Sequence, residues 1–301
     1  MSVKEKSLAL YLSHCRIEDA SEITLPLFVK IMDSQNDCED HTHDFAELVI
    51  VHQGTGVLVC NHVSRMIAAR DVFVIPPGAC HRYEQTAGLS LANLMFDPRR
   101  LPMPKLDLPL LPGYHALFML RNEFFADQKT FPGFTLAPEL YTAPANLLQM
   151  MREECQKQQP GVNFRLMGLF MALLGTLAAA YPETAHNTPR QSETGQLCKL
   201  VAFMNREFRR KIDFAELLEK VPMSRSTLNR NFVRATGETP MRYLLKLRLE
   251  HAASLLAHTD TSIAEIAIAS GFEDSNYFSR AFRKVYHLSP REFRALLSSQ
   301  A

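Results

Sequence analysis

The segment from Ile212 to Leu297 constrains this chain most, because it reads twice over as a short helix, a tight turn and a second helix. In the second copy Ile263, Ile266, Ala267 and Ala269 recur at helical spacing after Thr261-Ser262, and Glu265 stands three residues beyond Ser262, as a capping box requires. Gly271 offers the positive φ that ends such a helix, and Ala267 leaves room for a second helix to cross closely. A helix from about Asp274 to Val285 then buries Phe278 and Phe282 at i, i+4 and turns Ser275, Asn276, Ser279 and Arg280 outward. Those outward residues are polar, forked types that reach base edges in a DNA groove.

The first copy, Asp213 to Ala235, repeats the plan. Phe214, Leu217 and Leu218 line one helix; a second, capped by Ser224, buries Leu228 and Phe232 and leaves Ser226, Asn229 and Arg230 outward. Two positions depart from the second copy: Leu218 stands where Ala267 stands, and Pro222, which cannot take a positive φ, stands where Gly271 does. Between the copies Thr239-Pro240 starts a helix running to about His258. At about 1.5 Å per residue that strut spans roughly 27 Å and sets two recognition helices about one turn of B-DNA apart.

Leu247-Arg248-Leu249, Glu265-Ile266-Ala267, Gly271-Phe272, Tyr277-Phe278-Ser279-Arg280, Phe282 and Ser289-Pro290 together resemble the signature of the AraC/XylS family of bacterial transcription activators, over about the last hundred residues. The resemblance implies a two-unit DNA head that places each recognition helix in a successive major-groove segment of double-stranded DNA, with RNA polymerase as a further partner. Leu218 and Pro222 depart from the family pattern, as does His287, where the family usually has Gly.

Charge agrees with this placement. Residues 195–301 hold 17 Lys and Arg against 11 Asp and Glu, a net of +6, while the preceding residues carry −5. The basic part is where a polyanion would bind. Cys15, Cys38, Cys60, Cys80, Cys155 and Cys198 are scattered without a CxxC pair, which argues against a zinc finger or disulfide framework and fits the cytoplasm. No charged-then-apolar leader is evident, and the longest uncharged run, Leu166 to Tyr181, falls short of the ~20 residues of a membrane span, so no membrane partner is expected.

Residues 1–24 form a leader without assignable chemistry. From Leu25 to Phe96 short strands follow at Leu27 to Ile31, Glu47 to Val51, Val57 to Cys60, Val72 to Ile75 and Leu91 to Phe96, with Gly54-Thr55-Gly56 read as a hairpin and Pro76-Pro77-Gly78 as a bend. Many short strands with regular turns point to a small β-barrel. Within it His41, His43, Phe45 and Glu47 alternate onto one strand face, and His81 follows downstream. Such a set suits a divalent transition metal, or a polar pocket that hydrogen-bonds a small ligand, or residues that only line the barrel.

The spacing H-x-H-x3-E-x6-G with Gly54, then P-x-G-x2-H, closely resembles the cupin signature, with Arg70 and Gln85 departing from its second motif. His41 to Asn61 is also similar to the sensor of the L-rhamnose-responsive members of the AraC family. That likeness implies a small carbohydrate-like effector, L-rhamnose the leading candidate, held by His41, His43, Phe45, Glu47, His81 and Tyr83, with Phe45 stacking on a sugar face. The candidate metal ligands are His41, His43, Glu47 and His81.

Pro98 to Pro112 is an irregular connection, Leu117 to Ala126 a strand or short helix, and Ala143 to Gln158 and Asn163 to Tyr181 two helices. The second is apolar nearly all round and must be buried. Since the corresponding family helices pair two subunits, Phe164, Met167, Phe170, Met171 and Leu174 are candidates for a homodimer interface, with an intrachain core as the alternative.

The expected architecture is therefore α+β: a cupin-like β-barrel with dimerisation helices over residues 1–181, a linker over 182–194 and an all-α domain with two helix-turn-helix units over 195–301. The expected function is sequence-specific transcription regulation, as an activator controlled by an effector in the barrel. The alternative is a metal-dependent cupin enzyme, an isomerase or dioxygenase, with a helical appendage it does not need.

Overall fold

The structure is a computed structural model that describes residues 25–101, 103–104, 106–119, 133–157, 159–181 and 189–298. The leader at 1–24, most of the 117–126 segment and the first half of the expected linker lie outside the described residues. The architecture is α+β, and the chain divides into two compact units between Gly195 and Gln196.

The first unit is built on a six-stranded antiparallel sheet: β1 (Leu27–Met32), β2 (Ala46–Cys60), β3 (Val63–Ala68), β4 (Asp71–Ile75), β5 (His81–Phe96) and β6 (Gly133–Thr135). The order is β1-β5-β2-β4-β6, with β3 pairing β2. Ala46 to Val51 is buried at every position because both sheet faces are covered, which is why Leu48 to Val51 reads as a continuous apolar run, with Glu47 the buried charged exception. One face, with Leu48, Ile50, Leu94 and Phe96, packs against helices; the other, with Val49, Val51, Phe73 and Leu91, closes over a separate core.

Gly54-Thr55-Gly56 is not a hairpin. β2 runs through it as one strand, and its pairing with β5 shifts register between Val51 and Val57, the mark of bulges that bend a long strand. Gly54 takes φ +76°, and a Cβ there would collide with the Gly88 carbonyl. The hairpin lies instead at Asn61-His62, both at positive φ, and leads into β3, a strand the sequence reading omitted.

Helices α1 (Thr142–Lys157) and α2 (Val162–Ala179) cover the outer sheet face. Leu166, Phe170, Leu173, Leu174 and Leu177 of α2 are buried in that core, which accounts for the apolar run within one chain. Phe170 and Leu174 are therefore not available as interface residues, and Met167 also packs partly on this core. Phe164, by contrast, is 85% exposed. By length and composition α2 is apolar enough to cross a membrane, but its buried face is already spent on the sheet.

The second unit is helical. Helix α3 (Pro189–Glu207) begins inside the segment expected to be a linker and contributes buried Leu197, Leu200, Val201 and Met204. The first helix-turn-helix is α4 (Phe214–Glu219) and α5 (Arg225–Thr236); α6 (Pro240–His258) connects it to α7 (Ile263–Ala269) and α8 (Ser275–Tyr286), and α9 (Pro290–Ser298) follows. Each short helix starts where a side chain satisfies an orphan amide. Asp213, Ser224, Ser262 and Asp274 accept from the backbone N–H of Glu216, Thr227, Glu265 and Asn276, and Glu265 completes the Ser262 box by accepting from the Ser262 N–H at 3.0 Å. Pro222 causes no break, since no residue from 220 to 224 has positive φ, and Leu218 is accommodated half-buried. Gly271 does take φ +85°.

Candidate functional site

In the second unit the α8 core is Phe278, Ala281 and Phe282 packed with Leu249, Ile266 and Phe272, and this fixes the roll of the helix. Ser275, Asn276 and Arg280 are consequently exposed, and Ser279 is half-buried with its hydroxyl donating to the Ser275 carbonyl at 2.9 Å. On α5, buried Leu228, Phe232 and Ala235 leave Ser226 and Arg230 exposed and Asn229 half-buried.

The sequence reading missed Tyr277, Arg283 and Lys284, which are exposed on α8. It also missed Arg242 and Lys246 of α6, which with Arg280 and Lys284 of α8 line a groove of about 840 Å³ that Glu238 and Glu250 also border, over a floor of Leu245, Leu249 and Ala281. Like charges at i, i+4 cost each helix ~0.2–0.5 kcal/mol, a cost that a bound polyanion reverses. Their i, i+4 spacing was the available signal.

In the first unit a cleft of about 340 Å³ is lined by His41, His43, Phe45, Glu47, His81 and Tyr83, together with Asn93 and Met95 of β5. The backbone bridge between His41 and His81, at 3.1 and 3.0 Å, and the pairing of Cys60 with His81 bring the two histidine segments together. Asn93 was missed, although Leu91-Asn93-Met95 alternate onto this face and Asn93 is the polar member.

Three of the four candidate metal ligands converge. Donor atoms of His43, Glu47 and His81 all lie within 4.8 Å of one another, and the three side chains are buried. His41 lies outside this triad, half-buried, with its ring 4.1 Å from that of His81. The proton positions follow from the acceptors. His43 Nδ1 lies 2.7 Å from the Phe45 carbonyl and His81 Nδ1 3.2 Å from that of Ala79; a carbonyl only accepts, so both rings donate through Nδ1 and present a bare Nε2. Burial pushes His81 down to about 4, so it is neutral near pH 7. Burial likewise drives the Tyr83 phenol well above its usual range, so it keeps its proton.

Four buried polar atoms at this cleft have no hydrogen-bond partner among the described residues: His43 Nε2, His81 Nε2, Tyr83 OH and Asn93 Oδ1. Leaving such groups unpaired costs ~1–3 kcal/mol each, so a cleft that gathers four of them is arranged for something polar. Phe45 differs from expectation: it is 3% exposed and His43 stacks on it at 4.2 Å, so that ring face is already occupied.

Comparison with known proteins bears on both units. Residues 30–174 match the family described as AraC-like ligand binding domain, and residues 217–296 match a helix-turn-helix domain family. The chain is similar to the HTH-type transcriptional activator RhaS of Escherichia coli O6:H1, 31% identical over 262 residues that cover 86% of this chain and 88% of that one. Among solved structures, the DNA-binding domain of AdpA in complex with a target DNA is 30% identical and covers 35% of this chain and 95% of that chain, with a TM-score of 0.34. The C-terminal domain of the response regulator yesN from Fusobacterium nucleatum is 32% identical over 32% of this chain and 93% of that one, with a TM-score of 0.31.

Proposed function

Because this chain belongs to the AraC family of DNA-binding transcription regulators, we propose that it is a cytoplasmic activator whose first unit binds a small carbohydrate-like effector and whose second unit reads DNA. The observation that carries the effector reading is the cleft with its four polar atoms unpartnered among the described residues: a polyol supplies directional donors and acceptors to two imidazole nitrogens, a phenol and an amide oxygen, with the Glu47 carboxylate beside them. L-Rhamnose is the leading candidate, from the likeness of His41 to Asn61 to the sensor of L-rhamnose-responsive members of the family.

On DNA, Arg230 and Arg280 are assigned to guanine edges and Asn229 and Asn276 to adenine, with Ser226, Ser275 and Ser279 beside them. Arg242, Lys246 and Lys284 hold backbone phosphate along the groove. Two chains act as a homodimer through the exposed row of α2 that begins at Phe164, and the DNA-bound activator contacts RNA polymerase. Effector shifts occupancy only through a difference in affinity between the arrangements it selects.

The enzyme alternative rests on the same buried triad. The matched relatives are regulators, and the helix-turn-helix unit supports regulation over catalysis. A gel shift of the full chain on DNA upstream of its own gene, with and without L-rhamnose and other sugars, tests the reading. Sequence-specific retardation that responds to a sugar supports it. Binding that is indifferent to sequence sinks the regulator, and sequence-specific binding indifferent to every sugar sinks the effector class.

A further inference from the structure

We propose that the effector is a sugar acid, a monosaccharide that carries a carboxylate, and that Lys30 of β1 selects it. The inference rests on the effector reading above and narrows it from polyols in general to their acids. Alternation along β1 turns Phe28, Lys30 and Met32 onto the cleft. Lys30 pairs with Asn93 of β5 in the sheet register, so the two side chains are cross-strand neighbours on one cleft wall. Among the described residues Lys30 makes no hydrogen bond or ion pair, and Asn93 Oδ1 is buried without a partner. The carboxylates of the cleft do not neutralise this lysine. Asp37 is already held by the backbone N–H groups of Gln85 and Thr86, at 3.1 and 2.9 Å, and by the Thr86 hydroxyl at 2.7 Å. Glu47 is on β2, two strands from β1, beside His43 and His81.

The cleft is therefore polarised. One end offers bare imidazole nitrogens and a carboxylate, which take hydroxyl donors; the other offers an ammonium, with three donors and no acceptor. Neighbouring strands lie ~4.8 Å apart, so two steps separate the ends by roughly 10 Å, a span that one pyranose bearing an acid group bridges when hydrogen-bonded at both sides. A hydroxyl accepts from Lys30 but leaves its charge uncompensated. A carboxylate compensates it through a charge-assisted bond roughly twice as strong as a neutral one. Asn93 Oδ1 only accepts, so it takes the hydroxyl nearest the acid group, and the two residues together read a hydroxy-carboxylate rather than a lone anion. Placing the acid at Lys30 also keeps it away from Glu47.

The test is calorimetric titration of the full chain with two matched pairs, L-rhamnose with L-rhamnonate and D-galactose with D-galacturonate. In at least one pair the acid should bind ~10-fold or more tightly than its neutral partner, with an affinity that falls as salt rises. Lys30→Met keeps the stem of an exposed side chain and should bring the acid down to the level of the neutral sugar, and Lys30→Arg should restore the preference. A Lys30→Met chain that still prefers the acid, or that loses acid and neutral sugar alike, overturns the role of Lys30. Should that variant not fold by far-UV circular dichroism, the salt series on the wild type decides: an acid affinity indifferent to salt overturns the ion pair. Neutral sugars that bind as well as their acids overturn the acid class and leave the effector reading standing. A wild type that binds none of the four removes both, while gel shift on the same preparation reports separately on the regulator.

Discussion

Arg248 on α6 donates through Nε to the carbonyl of Phe208 at 2.8 Å, and through Nη2 to the carbonyl of Arg210 at 2.7 Å. One half-buried guanidinium thus ties the connecting helix to the chain entering the first helix-turn-helix. Gly271, at the end of the first helix of the second, lies against the same group: a Cβ there would sit 2.5 Å from the Phe208 oxygen and 2.9 Å from Arg248 Nε. Arg248→Met keeps the stem and removes both bonds, which should cost about 2 kcal/mol in urea unfolding of the full chain. A loss below about 0.5 kcal/mol would place these bonds among exposed contacts that contribute little.

The two recognition helices end in the same left-handed turn but with different residues. Gly237 closes α5 at φ +85°, and His287 closes α8 at φ +61°, its N–H donating to the Arg283 carbonyl at 2.9 Å. A side chain in that conformation is strained by ~1 kcal/mol or more. His287→Gly should therefore stabilise the chain by about 1 kcal/mol, read as a higher urea midpoint with unchanged slope. Destabilisation would mean that the imidazole makes a contact worth more than the strain.

The second helix-turn-helix was legible in the sequence because its signals are local: the Ser262 and Glu265 box, the small Ala267 and the Phe278 and Phe282 pair act within a few residues of one another. The triad was legible in part: alternation puts His43 and Glu47 on one face, and a bend at Asp44-Phe45, before β2 begins at Ala46, brings the two side chains within 3.6 Å. His41 falls outside it, its Nδ1 3.0 Å from the Glu39 carbonyl and its ring beside that of His81, a placement set by a bridge between distant segments. The bent β2 was misread because glycines that make a bulge and glycines that make a hairpin look alike until the partner strand is known. Phe170 and Leu174 were misassigned for a related reason: an apolar helix face does not reveal whether a sheet or another chain covers it.

His115 gives a pH dependence whose sign can be worked out. Its Nε2–H donates to the Pro109 carbonyl at 2.7 Å in a site only 1% exposed, and burial pushes its pKa from 6.5 down to about 4. Above the unfolded value neither form carries the proton. As pH falls from about 6.5 toward 4 the unfolded chain takes one that the folded chain refuses, so stability falls across that window by up to ~3 kcal/mol. His115→Gln retains a donor without titrating, so its urea midpoint should fall less on moving from neutral pH to pH 4.5. Parallel pH profiles for the two chains would remove His115 as the cause.

Arg280 and Lys246 face the same groove, yet they should fail differently when removed. Arg280 lies on the exposed face of α8 with Asn276, where a planar fork can pair two acceptors of one guanine. Arg280→Ala should cost ~1–3 kcal/mol on the specific site, relax preference at one base pair and change non-specific binding less. Lys246 is a point charge on the connecting helix. Lys246→Ala should weaken binding to every sequence alike and lower the slope of log affinity against log salt by ~1. Measuring both variants on specific and scrambled duplexes across a salt series separates the roles: equal loss on both duplexes for Arg280→Ala would make it a phosphate contact, and an unchanged salt slope for Lys246→Ala would put the DNA backbone outside this groove.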